Sequence, residues 1–400
     1  MTQTRKLLLA FAAASLVSLH WQCSKSPGTD TPETPTLRVS PVSADEGTGS
    51  GNTSFSFECT LSQSTTVPVS VTIATENGDA IAGDDYVALA GQTVSFNPGE
   101  TKKTFTVQVI ADAFKERTEE FKVQVSNAVN CSIINPTVKG YIQNDDSQFK
   151  VDDAGYSTPN TYPGYTLVWS DEFDGAALNT SDWNFEVGDG CPNCGWGNNE
   201  LQWYTQGNNL YMQNGKMIIE ARQQTESGKN YTSSRITTQR KKTFQYGRID
   251  VRAKLPYGQG IWPAIWMLGA NITTVSWPAC GELDIMELLG HEPNKVYATA
   301  HYGSTGAAQN ISRSVVKTNS FADAYHVYSM VWVEDKVRFL VDEELINEVK
   351  KSDLGPASYP YNAPFFFILN IAVGGNWPGS PNATTVFPQW MFVDYVRVFQ

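Results

Sequence analysis

The strongest constraint on the fold is a period-two alternation of apolar and polar residues that recurs along the chain. Phe55, Phe57, Cys59 and Leu61 alternate with polar residues, and similar runs follow at short intervals. Alternation of this kind, with turn residues between the runs, is typical of strands that bury one face. The C-terminal part shows no convincing long helical pattern. The sequence therefore predicts an all-β protein.

The length of the chain and the positions of its linker-like segments predict two folded domains. Residues 37–146 are predicted to form an Ig-like sandwich of roughly seven short strands. Residues 164–400 suit one large sandwich or jelly roll. Residues 24–36, rich in Thr, Pro and Ser, and residues 147–163, with Pro, Gly, Asn and Asp, are predicted linkers.

Residues 1–23 have the pattern of an export signal. Basic residues precede an apolar stretch from Leu7 to Leu19, which is too short to span a bilayer. Cys23 then opens a polar run and is similar to a bacterial lipoprotein acceptor, with Gln22 in place of the usual small residue. We expect a lipid-anchored protein at the cell surface or outer membrane. Simple secretion, extracellular or periplasmic, is the alternative.

Export makes disulfides permissible for the remaining cysteines. Cys59 and Cys131 lie in one predicted domain and could pair. Cys191 and Cys194 could close a small loop, although so short a separation strains the bridge. Cys280 is the odd one out and is expected to be a buried free thiol. No second cysteine pair or histidine cluster supports a metal or redox role for the Cys-x-x-Cys spacing.

The excess of acidic over basic residues limits the classes of partner that the protein can bind. The chain has 29 Lys and Arg against 41 Asp and Glu, which argues against nucleic acid, since phosphate binding needs clustered positive charge. A neutral polysaccharide is indifferent to this charge. The 11 Trp and 17 Tyr offer flat apolar faces for sugar rings, although large β-proteins also bury many aromatic residues.

Residues 281–289 carry the clearest chemical signal, the string Gly-Glu-Leu-Asp-Ile-Met-Glu-Leu-Leu. Glu282 and Asp284 share one face of a strand, because side chains alternate. Glu287 lies five residues from Glu282 and would face the other way in a regular strand. One extra residue, a β-bulge at Met286 or its neighbour, returns it to the same face. The three acids are then predicted to line one face of a sheet.

Such a trio suits a retaining glycosidase. Two carboxylates about 5–5.5 Å apart act as nucleophile and acid/base. A carboxylate between them can hydrogen-bond the nucleophile and separate the two pKa values. Burying three acids is costly unless they serve a purpose. A surface amphipathic helix is the alternative, but the apolar residues of the string leave little polar face for it.

The strings at 82–86, 96–100 and 144–146 identify residues 37–146 as similar to a Calx-β domain. The resemblance implies a sandwich that serves as a spacer or adhesion module. It also implies end-loop acids that can bind calcium, with solvated loop acids as the alternative. By residue matching, the candidates are Glu46, Asp85, Asp112, Glu119 and Asp146.

Many ordered strings in the last domain carry a second resemblance; they include 168–174, 195–202, 260–269 and 370–379. The domain resembles glycoside hydrolase family 16, and closely its laminarinase-like members, which cleave β-1,3-glucans. The resemblance implies a concanavalin-like β-jelly roll with a concave substrate groove. The extra residue in the acid string is the form that laminarinase-like members share.

The resemblance also implies residue roles. Glu282 matches the nucleophile, Glu287 the acid/base and Asp284 the assisting carboxylate. Because Trp262 and Trp266 are four residues apart, they share a strand face, and one of them could be core. A structural calcium site is implied at Glu172, the backbone carbonyl of Gly215 and Asp394, with an ordinary surface acid pair as the alternative. The implied substrate-binding residues are Trp266, Trp277, His301, Trp196, Asn199, Glu200 and Trp377.

We therefore expect a monomeric, endo-acting, retaining hydrolase of laminarin-type β-1,3-glucans. The chemistry requires no cofactor, calcium would be structural, and a lipid anchor would be the link to a membrane. A broader β-1,3/1,4-glucanase or another family 16 polysaccharide hydrolase is one alternative. A non-catalytic glucan-binding protein is another, against which the intact acids argue.

Overall fold

The computed structural model describes residues 33–400 of the protein. These residues form strands, turns and two short 3₁₀ segments, with no α-helix among them, so the predicted all-β class is confirmed. None of them belongs to a helix long and apolar enough to cross a membrane. The predicted export signal and the lipid acceptor Cys23 lie outside the described residues. The described chain divides into two compact units.

The first domain contains nine strands: β1 (Thr36–Val39), β2 (Val42–Asp45), β3 (Gly51–Leu61), β4 (Val69–Asn77), β5 (Ala90–Phe96), β6 (Lys102–Ala111), β7 (Glu119–Val129), β8 (Ser132–Ile133) and β9 (Thr137–Gln143). One sheet has the order β6-β3-β1-β8 and the other β2-β9-β7-β4-β5. The structure has more strands than the seven predicted. The sheet-edge strands β2 and β8 are too short to show an alternating pattern.

Aromatic side chains fill the interior of this sandwich. Phe57 is fully buried and stacks on Phe105 with ring centroids 5.1 Å apart. Phe121 lies edge-on to Phe57 at 6.0 Å and stacks on Tyr86 at 4.7 Å. Burying such rings is the main source of stability that an alternating strand offers.

The second domain contains seventeen further strands and two 3₁₀ segments, Cys194–Gly197 and Lys351–Leu354. The strands are β10 (Leu167–Asp171), β11 (Asn184–Phe185), β12 (Gln202–Tyr204), β13 (Leu210–Gln213), β14 (Lys216–Ala221), β15 (Tyr231–Ser233), β16 (Arg235–Thr237), β17 (Gly247–Lys254), β18 (Ile261–Gly269), β19 (Glu282–Leu288), β20 (Lys295–Ser304), β21 (Ala307–Val316), β22 (His326–Val333), β23 (Lys336–Val341), β24 (Glu344–Lys350), β25 (Phe365–Val373) and β26 (Gln389–Phe399).

Two large sheets form this domain, and the predicted jelly-roll sandwich is confirmed. One sheet has the order β13-β14-β26-β17-β22-β23-β24, with β10 added against β26. The other has the order β11-β16-β25-β18-β19-β20-β21. Buried side chains of both sheets meet in one apolar cluster. The opposite face of the second sheet is free to carry a site.

The predicted linker, residues 147–163, packs against the second domain and is not a solvent-exposed tether. Phe149 is buried against Ile218 and Phe392. The backbone N–H of Thr158 donates to the hydroxyl of Tyr395 at 3.0 Å. Isolated apolar residues in a polar stretch give no periodic pattern, so the sequence did not indicate this docking.

The cysteines pair differently from one of the expectations. Cys191 and Cys194 form a disulfide, as the sequence allowed. Cys59 and Cys131 are both free, so the pairing considered for them is not formed. Cys59 points into the sandwich core from β3, whereas Cys131 is only partly buried. Cys280 is free and buried, as predicted.

Thiol mapping should reproduce this pattern. Under native, non-reducing conditions we expect alkylation at Cys131, with Cys59 and Cys280 protected by burial until urea unfolds the chain. The peptide carrying Cys191 and Cys194 should become labelled only after reduction. Mass spectrometry of the digested protein reads out each site. A peptide cross-linked through Cys59 and Cys131 would contradict the assignment.

Candidate active site

Strand β19 carries the three predicted acids and contains the predicted bulge. Across its border with β18, Ile265 pairs with Met286, whereas the next residue, Trp266, pairs with Asp284. Ile285 is therefore the extra residue. The shift returns Glu287 to the face that holds Glu282 and Asp284, and all three side chains line one groove.

The bulge is held in place by the core beneath it. Ile285 and Met286 are both fully buried in the apolar cluster between the sheets. Burying each is worth roughly 1.5–3 kcal/mol. The strand begins after Gly281, where a β-carbon would lie 2.8 Å from Pro360 and the backbone has a φ of +81°. Glycine is suited to that conformation because it has no β-carbon to clash.

The groove crosses the outer face of the seven-stranded sheet and has a volume of about 610 Å³. The acids of β19 lie on its floor, with β18 and β25 on one side and β20 and β21 on the other. Loop residues complete its walls. The lining comprises Asn193, Trp196, Gly197, Asn198, Glu200, Arg235, Trp262, Ala264, Trp266, Trp277, Glu282, Asp284, Glu287, Thr299, His301, Asn310, Ser312, Asn370, Ala372 and Trp377.

His301 joins the acids from β20. Its Nε2 lies 3.2 Å from Asp284 Oδ2 and 3.7 Å from Glu282 Oε1. The backbone carbonyl of His301 accepts a hydrogen bond from the Tyr361 hydroxyl at 2.9 Å. Glu282, Asp284 and His301 are close enough together to hold a metal ion. Because Glu287 lines the same groove, the cluster is also suited to acid–base and nucleophilic catalysis by carboxylates.

Burial raises the pKa of all three acids. For Glu282, burial and then the charge of Asp284 raise the pKa to about 8, opposed by His301. Burial raises the pKa of Asp284 to about 8. For Glu287, burial followed by repulsion from Asp284 and Glu282 raises the pKa well above its usual range. Glu282 is partly exposed, whereas Glu287 is buried, so the site favours a charged Glu282 beside a protonated Glu287.

Polar and aromatic residues form a connected network beside the acids. The indole N–H of Trp266 donates to Asn370 Oδ1 at 2.8 Å, and the Asn370 amide donates to the Tyr204 hydroxyl at 3.1 Å. The guanidinium of Arg235 lies 4.9 Å from the ring centre of Trp266 and 4.2 Å from that of Trp196. These contacts fix the tilt of both rings, which a sugar platform requires.

The structure brings most of the predicted substrate-binding residues together. Trp196, Glu200, Trp266, Trp277, His301 and Trp377 all line the groove. Asn199 does not line it. This residue sits in a turn with a φ of +57°, and its amide donates to Asn376 Oδ1 at 2.8 Å. The neighbouring Asn198 lines the groove in its place.

Trp262, Asn370 and Arg235 line the groove although no role was predicted for them. Trp262 and the predicted Trp266 both face the groove, so the alternative that one of them is core is wrong. Their shared strand face was the signal that could have identified Trp262. Asn370 stands inside one of the recognised strings, but no role was assigned to it. Arg235 follows no motif, and only the sheet order, which places β16 beside β25, brings it to the site.

The acids of the calcium site predicted for this domain have basic partners. Glu172 makes two hydrogen bonds to the guanidinium of Arg397, at 2.9 and 2.7 Å. Asp394 pairs with Lys216 at 2.7 Å and with Arg252 at 2.6 Å. These cations supply the positive charge that a calcium ion would supply. The structure therefore favours ion pairs at Glu172 and Asp394, which sequence spacing could not indicate.

A different acidic cluster lies at one end of the first sandwich. Carboxylate oxygens of Glu46, Asp112 and Asp146 lie within 4.8 Å of one another. Glu46 and Asp146 are buried, and Glu46 Oε1 and Asp146 Oδ2 have no hydrogen-bond partner. Burial, then a hydrogen bond with Asp146, raises the pKa of Glu46 to about 8.

Paired carboxylates on the floor of an open, tryptophan-lined groove define the class of proteins that act on glycan chains. Sequence comparison agrees with that class. The profile of "Glycosyl hydrolases family 16" matches residues 197–395, and that of the "Calx-beta domain" matches residues 34–147. A profile named "Beta-glucan synthesis-associated protein SKN1/KRE6/Sbg1" matches residues 104–282. The chain belongs to glycosyl hydrolases family 16.

The relatives point the same way. The "Glucan endo-1,3-beta-glucosidase A1" of Niallia circulans is 40% identical over 62% of this chain, which spans only 39% of that relative's length. The "Beta-glucanase" of Rhodothermus marinus is 39% identical, over 60% of this chain and 86% of its own. The laminarinase catalytic domain of Thermotoga maritima MSB8 is 45% identical, with a TM-score of 0.56, over 59% of this chain and 98% of its own.

The raised pKa of Glu282 predicts a pH-dependent stability. A carboxyl with a higher pKa in the folded than in the unfolded state weakens folding as pH rises from about 4.3 to about 8. Glu282→Gln removes the charge, so it should stabilise the protein at pH 8 by roughly 4–5 kcal/mol, at about 1.4 kcal/mol per unit of pKa, and have little effect at pH 4.

Thermal unfolding at both pH values measures this difference. The exposed Glu334→Gln is the matched control and should change little at either pH. Equal effects of Glu282→Gln at pH 4 and pH 8 would contradict the prediction.

Proposed function

We propose that the protein is a retaining endo-1,3-β-glucanase. The observation that carries the proposal is the bulged strand β19, which places Glu282, Asp284 and Glu287 together on the floor of the open groove. The tryptophans of the walls supply apolar faces for sugar rings, and the neutral polar residues supply hydrogen bonds to hydroxyls. A glucan chain fits such a lining because it carries no charge to oppose the acids.

The first step forms a covalent intermediate. Glu287, protonated in the free groove, donates its proton to the glycosidic oxygen as the carbon–oxygen bond breaks. The Glu282 carboxylate forms a bond to the anomeric carbon from the opposite face. His301 lies 3.7 Å from Glu282 and favours its charged form, whereas a charged Asp284 opposes it. The departing chain leaves with a free hydroxyl.

The second step adds water. The Glu287 carboxylate, now ionised, takes a proton from a water molecule whose oxygen bonds to the anomeric carbon. The ester bond to Glu282 breaks, and the carboxylate is restored. Two inversions leave the anomeric configuration unchanged, and one water is consumed for each bond cleaved.

The names of the relatives support the β-1,3 linkage. The Niallia circulans protein is named a glucan endo-1,3-beta-glucosidase, and a 45% identical structure from Thermotoga petrophila RKU-1 is named an endo-1,3-beta-glucanase (laminarinase). A "Keratan-sulfate endo-1,4-beta-galactosidase" is also 32% identical over 59% of this chain. We therefore keep a broader family 16 polysaccharide hydrolase as the second candidate. The intact acids argue against a non-catalytic glucan-binding protein.

Laminarin hydrolysis tests the main proposal. The wild type should release new reducing ends from laminarin, with less from mixed-linkage glucan and none from agarose. Glu282→Gln should lower turnover at least 1,000-fold, by the usual scale for losing a catalytic group, and should still bind laminarin. Proton NMR of the first products should show the β-anomer. An α-anomer as first product, or full activity of Glu282→Gln, would refute the mechanism.

We further propose that the Glu46, Asp112 and Asp146 cluster binds structural calcium. Carboxylate oxygens without hydrogen bonds are suitable ligands for this hard cation, and buried acids this close repel one another without one. The raised pKa of Glu46 means that binding would release a proton, so affinity should weaken as pH falls below about 8.

Calorimetry tests this site. Adding Ca²⁺ to protein treated with a chelator should stabilise the first domain by about 2.7 kcal/mol at 100 times the dissociation constant. Glu46→Gln combined with Asp146→Asn should abolish the shift in Tm. Glu76→Gln, an exposed acid of the same domain, is the control and should keep it. A shift that survives in the double variant would place calcium elsewhere.

The wider organisation is also a proposal. We propose that the protein is exported, is anchored through a lipid on Cys23 and acts as a monomer. The first domain would then serve as a spacer or adhesion module. The basic and apolar pattern of residues 1–23 supports export. The proposed domains are 37–146 and 164–400.

A further inference from the structure

Trp262 makes a contact with the catalytic machinery that is distinct from sugar stacking. It lies on β18, four residues before Trp266, and its indole N–H donates to Glu287 Oε1 at 3.1 Å. Among the described residues, no other side-chain hydrogen bond to Glu287 accompanies it. The orientation of the Glu287 carboxyl therefore depends strongly on this indole.

Neighbouring rings fix the orientation of the indole. The ring of Trp377 lies edge-on to Trp262, with centroids 5.6 Å apart. Tyr297 in turn lies edge-on to Trp377 at 4.9 Å, and its hydroxyl donates to Glu292 at 2.8 Å. Edge-to-face contacts between aromatic rings resist rotation of either partner. The N–H of Trp262 is thus held toward Glu287 from outside the acid cluster.

This geometry distinguishes the two oxygens of Glu287. Oε1 already accepts the indole N–H, so a proton on Oε1 would have to compete with that donor. Oε2 accepts no such bond and is the better carrier of the transferable proton. Resting on the function proposed above, we propose that Trp262 is a positioning residue that fixes Oε1 and leaves Oε2 to deliver and recover the catalytic proton.

The charges around Glu287 give the expected direction of a pH effect. Glu282 and Asp284 repel its charged form from the same strand, and His301 on β20 favours it. Tyr297 on β20 is its cross-strand neighbour, and Asn370 and Ala372 of β25 bring no charge to the groove. The Trp262 N–H stabilises the ionised form. Its loss therefore raises the pKa of Glu287 further.

Trp262→Phe tests the proposal, because it keeps an aromatic ring and removes the donor. On laminarin, kcat/KM should fall about 10- to 100-fold, which is part of what a general acid contributes. The alkaline limb of its pH profile should move to higher pH. On an aryl β-laminaribioside with an acidic phenol as leaving group, kcat/KM should fall much less, since that bond breaks without protonation.

Two further variants separate positioning from ring stacking. Trp377→Phe keeps an aromatic ring edge-on to Trp262 and so leaves the Trp262 N–H in place. It should therefore raise KM without moving the alkaline limb. Trp262→His restores an N–H donor, so its alkaline limb should lie between those of Trp262→Phe and the wild type. If Trp262→Phe does not fold, as judged by thermal unfolding, Trp262→His is compared with Trp262→Leu in the same assays.

Equal losses of Trp262→Phe on both substrates, with an unchanged pH profile, would overturn the proposal and make Trp262 a sugar platform. That result would leave the glucanase assignment intact. Failure of the assignment would be visible separately, as absence of laminarin cleavage by the wild type or full activity of Glu287→Gln.

Discussion

The register of β19 is the constraint on which the active site depends. One face of this strand must be apolar, because Leu283, Ile285, Met286 and Leu288 fill the space between the two sheets. The other face must hold the acids, which burial makes costly to charge. The bulge satisfies both faces at once by sending two consecutive side chains into the core. A one-residue slip would exchange core and catalytic faces, so packing energy enforces the catalytic geometry.

The three buried acids of the groove are costly to ionise, and this cost serves the proposed chemistry. Three carboxyls share a buried floor with one histidine, and burial, followed by repulsion between the acids, favours keeping at least one of them protonated. A protonated acid beside a charged one is the state that glycoside cleavage needs at its start. Arg235 contributes positive charge but is paired with Glu186 and stacked between two indoles. It therefore holds Trp196 and Trp266 in place, and its charge opposes the raised pKa of Glu282 less than His301 does.

The sequence predicted those features that depend on residues close together in the chain. Alternation revealed the strands, and the five-residue interval between Glu282 and Glu287 revealed the bulge. Contacts set by distant strand order could not be predicted from a single segment. Arg235 reaches the groove because β16 pairs with β25, and Glu172 and Asp394 meet cations from β26, β14 and β17. The amide of Asn199 turns away because its backbone adopts a left-handed conformation that the string of letters does not reveal.

The two most exposed groove tryptophans also bear on how a polymer is approached. Trp277 is 43% exposed and Trp377 is 40% exposed, one beside the nucleophile side of β19 and the other beside Trp262. Neither ring is roofed over, and the sheet ends in the edge strand β21. A long chain can therefore settle sideways without threading an end. Under the proposed glucanase function, cuts would fall at interior positions, and the viscosity of a polysaccharide solution would fall well before many small sugars accumulate.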